Sequence, residues 1–235
     1  MTARYAIYFV PAPDSQILDL GQRWLGRDVY SGCEVADKAY FGLNPGDVRR
    51  LTESAAHYGF HATLKAPFEL KRGCKEDEVL VAAQALASAL RPIMPKLFVG
   101  AIGEFLAILS SDRRDGIWEI HRACLEHFEP YRAALAASDR ERRMHTPLDE
   151  RQLKALLEYG YPYVLEDFRF HMTLTTRIPD PVQLAEVKDA LREGFFCVLN
   201  KRQDIDAICV LRQGDRNQQF VVLERFQFNS QLEIA

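Results

Sequence analysis

Residues 60–64 read FHATL, and residues 170–174 read FHMTL. The two stretches share a Phe, a His, a Thr and a Leu in the same order, and their histidines are 110 residues apart. A single His-x-Thr sequence is common and predicts little on its own. Two copies that agree at four of five positions are hard to attribute to chance. We interpret them as a functional pair.

The spacing within each motif is typical of a β-strand. Side chains alternate between the faces of a strand, so residues two and four positions apart share a face. His61, Thr63 and Lys65 would therefore lie on one face of the first strand. The matching face of the second strand would carry His171, Thr173, Thr175 and Arg177. A helix would not bring residues two positions apart together. Each motif thus predicts one polar face and one apolar, core-facing side.

Two such polar faces suit chemistry on phosphate esters. One imidazole can accept a proton while the other donates one, because an unperturbed pKa of about 6.5 lets both forms coexist near neutral pH. The hydroxyls of Thr63 and Thr173 can bind phosphoryl oxygens. Candidates for further substrate contacts are the side chains of Lys65, Thr175, Arg177 and Tyr8. For Tyr8, a core or rim position is the alternative.

A metal site is the main competing interpretation of two histidines. Zinc sites usually combine three or four His, Cys or carboxylate ligands at recognisable spacing. Neither motif has a second His or an acid two or four positions after its histidine, and the five cysteines form no Cys-x-x-Cys pair. We expect neither a metal nor another cofactor.

The composition describes an ordinary globular chain. Charged residues make up 27% and hydrophobic residues 48% of its 235 positions, and the net charge is −3. This balance supplies no basic field for extended nucleic acid, but it is compatible with a small phosphorylated substrate such as a sugar or nucleotide cyclic phosphate. The apolar start, residues 5–10, is too short for a signal peptide core, and no stretch reaches membrane-spanning length. With scattered cysteines, these features predict a cytoplasmic monomer without membrane contact.

The order of predicted elements repeats along the chain. Each motif strand precedes a helix, at residues 76–90 and 181–193, and then a hairpin. Residues 138–146 contain Arg140, Arg142, Arg143 and His145, and they predict a solvated polar loop, with an anion-binding lid as the alternative. We expect an α+β internal duplication whose N-terminal lobe covers residues 1–110 and whose C-terminal lobe covers residues 111–235, packed as one globular unit.

At these residues the chain resembles the 2H phosphoesterase superfamily, which is named for its two His-x-(Thr/Ser) motifs. The wider stretches YGFHATLKAPF at 58–68, GYPY at 160–163 and FRFHMTLT at 168–175 are similar to a bacterial branch associated with phosphonate metabolism. The resemblance covers nearly the whole chain. It implies a bilobed fold like that of 2′-5′ RNA ligases, with two antiparallel sheets lining a central cleft and helices outside. It also implies metal-independent chemistry on cyclic or diester phosphates.

The sequence therefore predicts a phosphoric diester hydrolase that opens a cyclic phosphodiester, with His61 and His171 as acid and base in an order left open. One alternative is an RNA or nucleotide 2′,3′-cyclic phosphodiesterase, or a 2′-5′ ligase-like enzyme, which a broad basic face would favour. Another alternative is a protein that binds a phosphorylated metabolite without turnover. Such a protein is expected to lack one of the two motif histidines. Both histidines are present.

Overall fold

A computed structural model describes residues 3–111, 116–145 and 147–231 as a mixed α/β structure. The strands are β1 (Arg4–Phe9), β2 (Ala62–Glu69), β3 (Leu97–Ile102), β4 (Phe105–Ser110), β5 (His171–Thr173), β6 (Ala207–Gln213) and β7 (Val221–Gln227). The helices are α1 (Gln16–Leu25), α2 (Pro45–Tyr58), α3 (Glu76–Ala89), α4 (Ile117–His127), α5 (Ala137–Met144), α6 (Glu150–Tyr159), α7 (Pro181–Gly194) and α8 (Phe196–Leu199).

The seven described strands form one antiparallel sheet in the order β3-β4-β5-β2-β1-β6-β7. The expected pair of sheets facing each other across a cleft is therefore not confirmed. The motif strands β2 and β5 pair directly through Ala62 and Met172, which joins both sides of the molecule into a single sheet. The division into lobes at residue 110 remains a prediction.

The apolar side of each motif is buried as the alternation predicts. The buried motif residues are Phe60, Ala62, Leu64, Phe170, Met172 and Leu174. Helix α1 packs closely on this side, because Gly21 leaves room for the Phe60 ring, which a Cβ there would approach to 2.4 Å. Trp24 of α1 donates from Nε1 to the Leu174 carbonyl at 2.8 Å. Core packing thus fixes which face the histidines occupy.

The link from α2 into the first motif strand has a defined geometry. Asn44 accepts a hydrogen bond from the Gly46 amide, and Pro45 occupies the first helical position, where its missing N–H costs nothing. The helix ends before Gly59, whose φ of 80° favours glycine. A Cβ at Gly59 would lie 2.5 Å from Val29 Cγ2. This turn delivers the chain to His61 in a fixed orientation.

Residues 137–144 form helix α5, so the prediction of a polar loop over 138–146 is wrong for most of that segment. The sequence did not show the buried contact that orders it, which is made by Asp139. Residue 146 lies outside the described residues. The second motif strand is also shorter than expected and ends at Thr173.

No helix in the described ranges is long and apolar enough to cross a membrane.

Candidate functional site

The two His-x-Thr motifs lie side by side on one face of the sheet. Since β2 and β5 are antiparallel with Ala62 opposite Met172, the same register sets His61 opposite Thr173 and Thr63 opposite His171. Opposite residues have Cβ atoms about 4.5–5.5 Å apart, and diagonal neighbours lie about 7–8 Å apart. His61 and His171 are such diagonal neighbours. The structure therefore gathers all four polar motif side chains around one small area.

Each motif histidine is held by the backbone two residues earlier. His61 Nδ1 bonds the Gly59 carbonyl at 2.9 Å, and His171 Nδ1 bonds the Arg169 carbonyl at 2.8 Å. A carbonyl only accepts, so each Nδ1 carries the proton, and each neutral ring leaves its Nε2 lone pair available. His61 Nε2 lies 3.2 Å from Thr63 Oγ1, which donates to it. Both rings thus have the same tautomer and present Nε2 for proton transfer.

Tyr8 packs directly against the first histidine. Its ring is stacked on His61 with centroids 3.8 Å apart and an interplanar angle of 17°. Tyr8 lies opposite Thr63 in the β1–β2 pairing and is almost completely buried. Tyr58 completes the surroundings, 6.3 Å from the His61 ring. The structure thus places the predicted Tyr8 beside His61, where it limits ring rotation and access of water.

Both histidines are neutral in their resting environment. Burial, together with the nearby His171 and Arg27, lowers the pKa of His61 to about 4, against the effect of its hydrogen bond to Gly59. Burial also lowers the pKa of His171, against the effect of its hydrogen bond to Arg169. Removal from water disfavours the charged imidazolium, which explains both directions. His61 is therefore in the neutral form that a general base requires.

A cavity of about 450 Å³ opens beside these residues. Thr63 and His171 lie in its wall, together with the rings of Tyr161 and Tyr163. Cavities of this size hold small ligands, and a few convergent polar groups within an apolar wall usually set their orientation. The site therefore has room for a small substrate.

The cavity carries a surplus of positive charge. Arg169 and Arg177 line it and make no ion pair with any described residue. Asp167, the one acidic residue among its described lining residues, is neutralised by Arg151, which donates to both carboxylate oxygens at 3.0 and 2.9 Å. Unpaired guanidiniums beside the His171 imidazole favour an anionic ligand.

Lys65 is not brought to this face. A register shift sets Lys65 opposite Ile7 and Thr63 opposite Tyr8, so β2 has one more residue than β1 in this interval. The bulge reverses the side-chain direction that simple alternation predicts. Lys65 is buried and donates from Nζ to Glu129 at 2.7 Å and to the Leu125 carbonyl at 3.0 Å. Its position is that of a structural ion pair between β2 and the end of α4.

Thr175 and Arg177 have different positions. Thr175 is buried, and its hydroxyl accepts a hydrogen bond from the Leu106 amide at 2.9 Å. Because β5 ends at Thr173, the alternation that predicted Thr175 as a site residue does not extend that far. Arg177 is exposed and lies in the cavity wall, as a substrate-contacting residue would.

Among the described residues, no group of three or more His, Cys, Asp or Glu side chains is arranged to hold a metal ion.

Residues 63–221 match the protein family described as Protein of unknown function (DUF1045). This match covers more than half of the chain and contains the second motif together with Thr63. The chain belongs to this family.

Two curated relatives of this DUF1045 protein carry the same name, ribose 1,5-bisphosphate phosphokinase PhnN. The one from Janthinobacterium sp. (strain Marseille) is 34% identical over 99% of this chain and 52% of its own length. The one from Laribacter hongkongensis (strain HLHK9) is 33% identical over 75% of this chain and 41% of its own length. The chain thus spans about half the length of the curated relatives it matches.

Among solved structures, a conserved protein of unknown function from Agrobacterium tumefaciens is 14% identical to this DUF1045 protein, covering 95% of this chain and 87% of its own, with a TM-score of 0.40. This similarity is too weak to support an argument about fold or function.

Two features of this DUF1045 site were not predicted from the sequence. Strand alternation does not reach Arg169 because β5 begins at His171, yet Arg169 lines the cavity and its carbonyl orients His171. Tyr161 also lines the cavity, and the signal for it in the sequence is its place in the GYPY stretch at 160–163.

His121 of α4 has a structural role beneath the cavity and predicts acid sensitivity. Its Nδ1 donates to the Leu64 carbonyl at 2.8 Å, and its Nε2 accepts from the Leu165 amide at 3.2 Å. Burial lowers its pKa to about 4. Between pH 6.5 and 4 the unfolded chain binds more protons at this residue, so its contribution to stability falls as the pH falls through this window. We expect a loss of about 2 kcal/mol between pH 7 and pH 5 from this residue.

The measurement is urea unfolding at both pH values. His121→Gln is expected to be less stable at pH 7 but to lose less stability on acidification than the unchanged protein. Equal losses in both proteins would show that His121 is not the group responsible.

Proposed function

We propose that this protein is a phosphodiesterase of the 2H phosphoesterase type, which opens a cyclic phosphodiester by acid–base catalysis from His61 and His171. The observation that carries the proposal is the strand register that makes the two histidines diagonal neighbours on one face. Both rings carry their proton on Nδ1 and present Nε2, and His171 lines the cavity together with Thr63, Arg169 and Arg177.

We assign His61 as the base in ring opening. Its neutral Nε2 takes a proton from water as the water oxygen attacks phosphorus. The bond from phosphorus to one ring oxygen breaks, and protonated His171 Nε2 donates its proton to the departing alkoxide. The product is a phosphate monoester, and the pair is left with its protons exchanged. Each positioned proton transfer contributes on the order of 10²–10⁴ in rate.

The assignment follows from the charges around each ring. Burial keeps His61 neutral, and the positive charges of Arg27 and of a protonated His171 add to this effect. A bound phosphate anion between the rings raises the pKa of both histidines, and His171 gains its proton more readily because Arg27 does not act on it. The two environments therefore favour different protonation states in the complex.

The threonines and arginines would stabilise the charge that develops on phosphorus. Thr63 and Thr173 each lie directly opposite a motif histidine, so their hydroxyls can donate to the two non-bridging oxygens. Arg169 and Arg177 supply fixed positive charge from the cavity wall. These groups account for proton transfer and charge neutralisation without a metal, so we expect activity to survive a chelator.

The substrate we favour is a small sugar cyclic phosphate in phosphonate metabolism. The name of the two curated relatives, which refers to a ribose bisphosphate, supports a phosphorylated ribose. We infer that the expected internal duplication is also present. Each half has a motif strand followed by a helix and a hairpin, and β4 of the first hairpin pairs with the motif strand of the second half.

The relatives' name also makes a kinase the second candidate. Many enzymes that use nucleoside triphosphates hold the phosphates with a Gly-x-x-x-x-Gly-Lys-(Ser/Thr) loop. That sequence motif does not occur in the 235 residues. Turnover of a ribose 1,2-cyclic phosphate without ATP supports the phosphodiesterase, whereas ATP-dependent phosphorylation of a ribose phosphate would support the kinase. Faster turnover of nucleoside 2′,3′-cyclic phosphates would favour the RNA-related alternative.

The pH dependence of hydrolysis provides a further test. The base must be neutral, so kcat/KM is expected to fall as the pH drops towards the lowered pKa of His61, about 4. The acid must be protonated, so kcat/KM also falls as the pH rises above the lowered pKa of His171. We expect a bell-shaped profile with its maximum below pH 6.5, and a kcat profile displaced to higher pH by the bound anion. A maximum of kcat/KM in the alkaline range would contradict this acid–base pair.

A further inference from the structure

A network of ion pairs connects helix α5 to the sheet. Arg216, in the turn between β6 and β7, donates to both carboxylate oxygens of buried Asp139 at 2.8 and 2.6 Å. Arg142 donates to the same carboxylate at 2.9 Å, and Arg216 also reaches Glu69 at 3.1 Å. These bonds fix the position of α5 relative to the strands that carry the site.

Arg143 of this helix forms no ion pair with a carboxylate of any described residue. Its guanidinium lies 4.9 Å from the ring centre of Tyr161, which lines the cavity beside His171. Its Nε is buried and has no hydrogen-bond partner within the part of the chain that the structure describes. Burial lowers the pKa of Arg143, although the nearby Tyr161 and Asp139 raise it.

Arg4 of β1 is a second cation of this region, close enough that its charge also lowers the pKa of Arg143. It bonds only the amide oxygen of Gln213, from Nε at 2.7 Å and also from its terminal nitrogen, and among the described residues it makes no ion pair with a carboxylate. Burial and the nearby Arg216 lower its pKa. The cluster of four arginines at positions 4, 142, 143 and 216 contains two carboxylates, those of Asp139 and Glu69. Two positive charges are therefore left uncompensated, at Arg4 and Arg143.

These two charges adjoin the proposed catalytic site. Arg4 and Tyr8 share a face of β1, because they are four residues apart in a strand that pairs regularly with β6. Their Cα atoms are about 13 Å apart along the strand. The Phe220 ring lies between them, with its centroid 5.5 Å from the Arg4 guanidinium and 6.1 Å from the Tyr8 ring. His61 stacks on Tyr8 at one end of this distance. A sugar ring together with the length of the Arg4 side chain is enough to bridge it.

We propose that Arg143 and Arg4 form a second anion subsite that binds a phosphate monoester on the same substrate whose diester lies between His61 and His171. This inference rests on the proposed function. Two guanidiniums match the charge of a phosphate monoester dianion, and their fork geometry suits its oxygens. The substrate class is therefore a cyclic phosphate of a sugar that carries a further phosphate.

The test compares ribose 1,2-cyclic phosphate with its 5-phosphorylated form. The unchanged protein is expected to have a KM at least about tenfold lower for the 5-phosphorylated substrate, since its second phosphate adds charge-assisted hydrogen bonds to the guanidiniums. Arg143→Gln should raise that KM about tenfold or more, should affect the unphosphorylated substrate much less, and should leave kcat nearly unchanged. Arg143→Lys should restore part of the difference.

Arg140→Gln is the matched control, since Arg140 is exposed on the same helix and the charge change is identical. It should behave as the unchanged protein does. Arg4→Gln provides a second variant should Arg143→Gln fail to fold. Equal KM values for the two substrates in the unchanged protein would overturn the subsite while leaving the phosphodiesterase intact.

A binding measurement separates the two proposals. Calorimetric titration with ribose 5-phosphate, with ribose as the reference, needs no turnover. Binding that is weakened about tenfold by Arg143→Gln but not by Arg140→Gln would support the subsite even if neither cyclic phosphate were hydrolysed, in which case only the proposed function fails. Absence of ribose 5-phosphate binding, or equal binding by both variants, would overturn the subsite.

Discussion

Replacement of His61 or His171 by alanine is expected to reduce kcat/KM for a cyclic phosphodiester by at least about 100-fold, because each change removes one of two positioned proton transfers. The two imidazole rings belong to neighbouring strands and have the same tautomer, so both can act in the step that forms one P–O bond and breaks another. The measurement is initial rate with a ribose 1,2-cyclic phosphate, with circular dichroism to confirm the fold. The chain also offers His145→Ala, an exposed residue at the end of α5, which should retain activity.

The double variant adds a second criterion. Residues that act in one step are strongly non-additive, so His61→Ala combined with His171→Ala should be little worse than the more damaging single change. Full activity in either single variant would rule out the mechanism. Multiplicative losses would instead indicate that the two histidines act in separate steps.

Loss of the Glu129 carboxylate is expected to destabilise the fold by about 3 kcal/mol or more, because it leaves the buried Lys65 ammonium without its counter-charge. Lys65 Nζ lies 2.7 Å from Glu129 and is nearly inaccessible to water. Glu129→Gln should therefore cost more stability than Lys65→Met, in which the partly exposed Glu129 keeps its pairing with Arg132 at 2.6 Å. Chemical unfolding at neutral pH measures both values.

The same variants separate a structural role of Lys65 from a catalytic one. Lys65→Met should retain kcat/KM within a few-fold once it is folded, in contrast to what the sequence spacing predicted. Lys71→Met, at an exposed lysine just after β2, should change stability by no more than about 0.5 kcal/mol. A large loss of kcat/KM in folded Lys65→Met would show that the lysine does reach the substrate.

Local periodicity predicted the part of the site that depends on neighbouring residues. The alternation from His61 to Thr63 and from His171 to Thr173 sorts polar from apolar side chains, and the burial of Phe60 confirms the apolar side of the first motif. The same rule failed at Lys65 because a β-bulge adds one residue to β2. It failed at Thr175 because the strand ends two residues earlier. Neither the bulge nor the end of the strand is visible in the alternating pattern of polar and apolar residues.

Long-range pairing was the part that the sequence could not supply. The order of strands decides whether two motif strands face each other from separate sheets or lie side by side, and the pairing of Ala62 with Met172 depends on contacts 110 residues apart. Helix α5 was missed for a similar reason, since its order depends on Arg216 far along the chain. The charges at Arg4 and Arg143 likewise become meaningful only once distant partners are known.

The most direct test of the central claim is an NMR titration of the ¹⁵N-labelled imidazoles with inorganic phosphate. If a single phosphorus atom lies between the two rings, the Nε2 signals of His61 and His171 should shift together, follow one binding curve and report raised pKa values in the complex. A shift of one imidazole alone, or two curves with different affinities, would contradict a shared phosphate site.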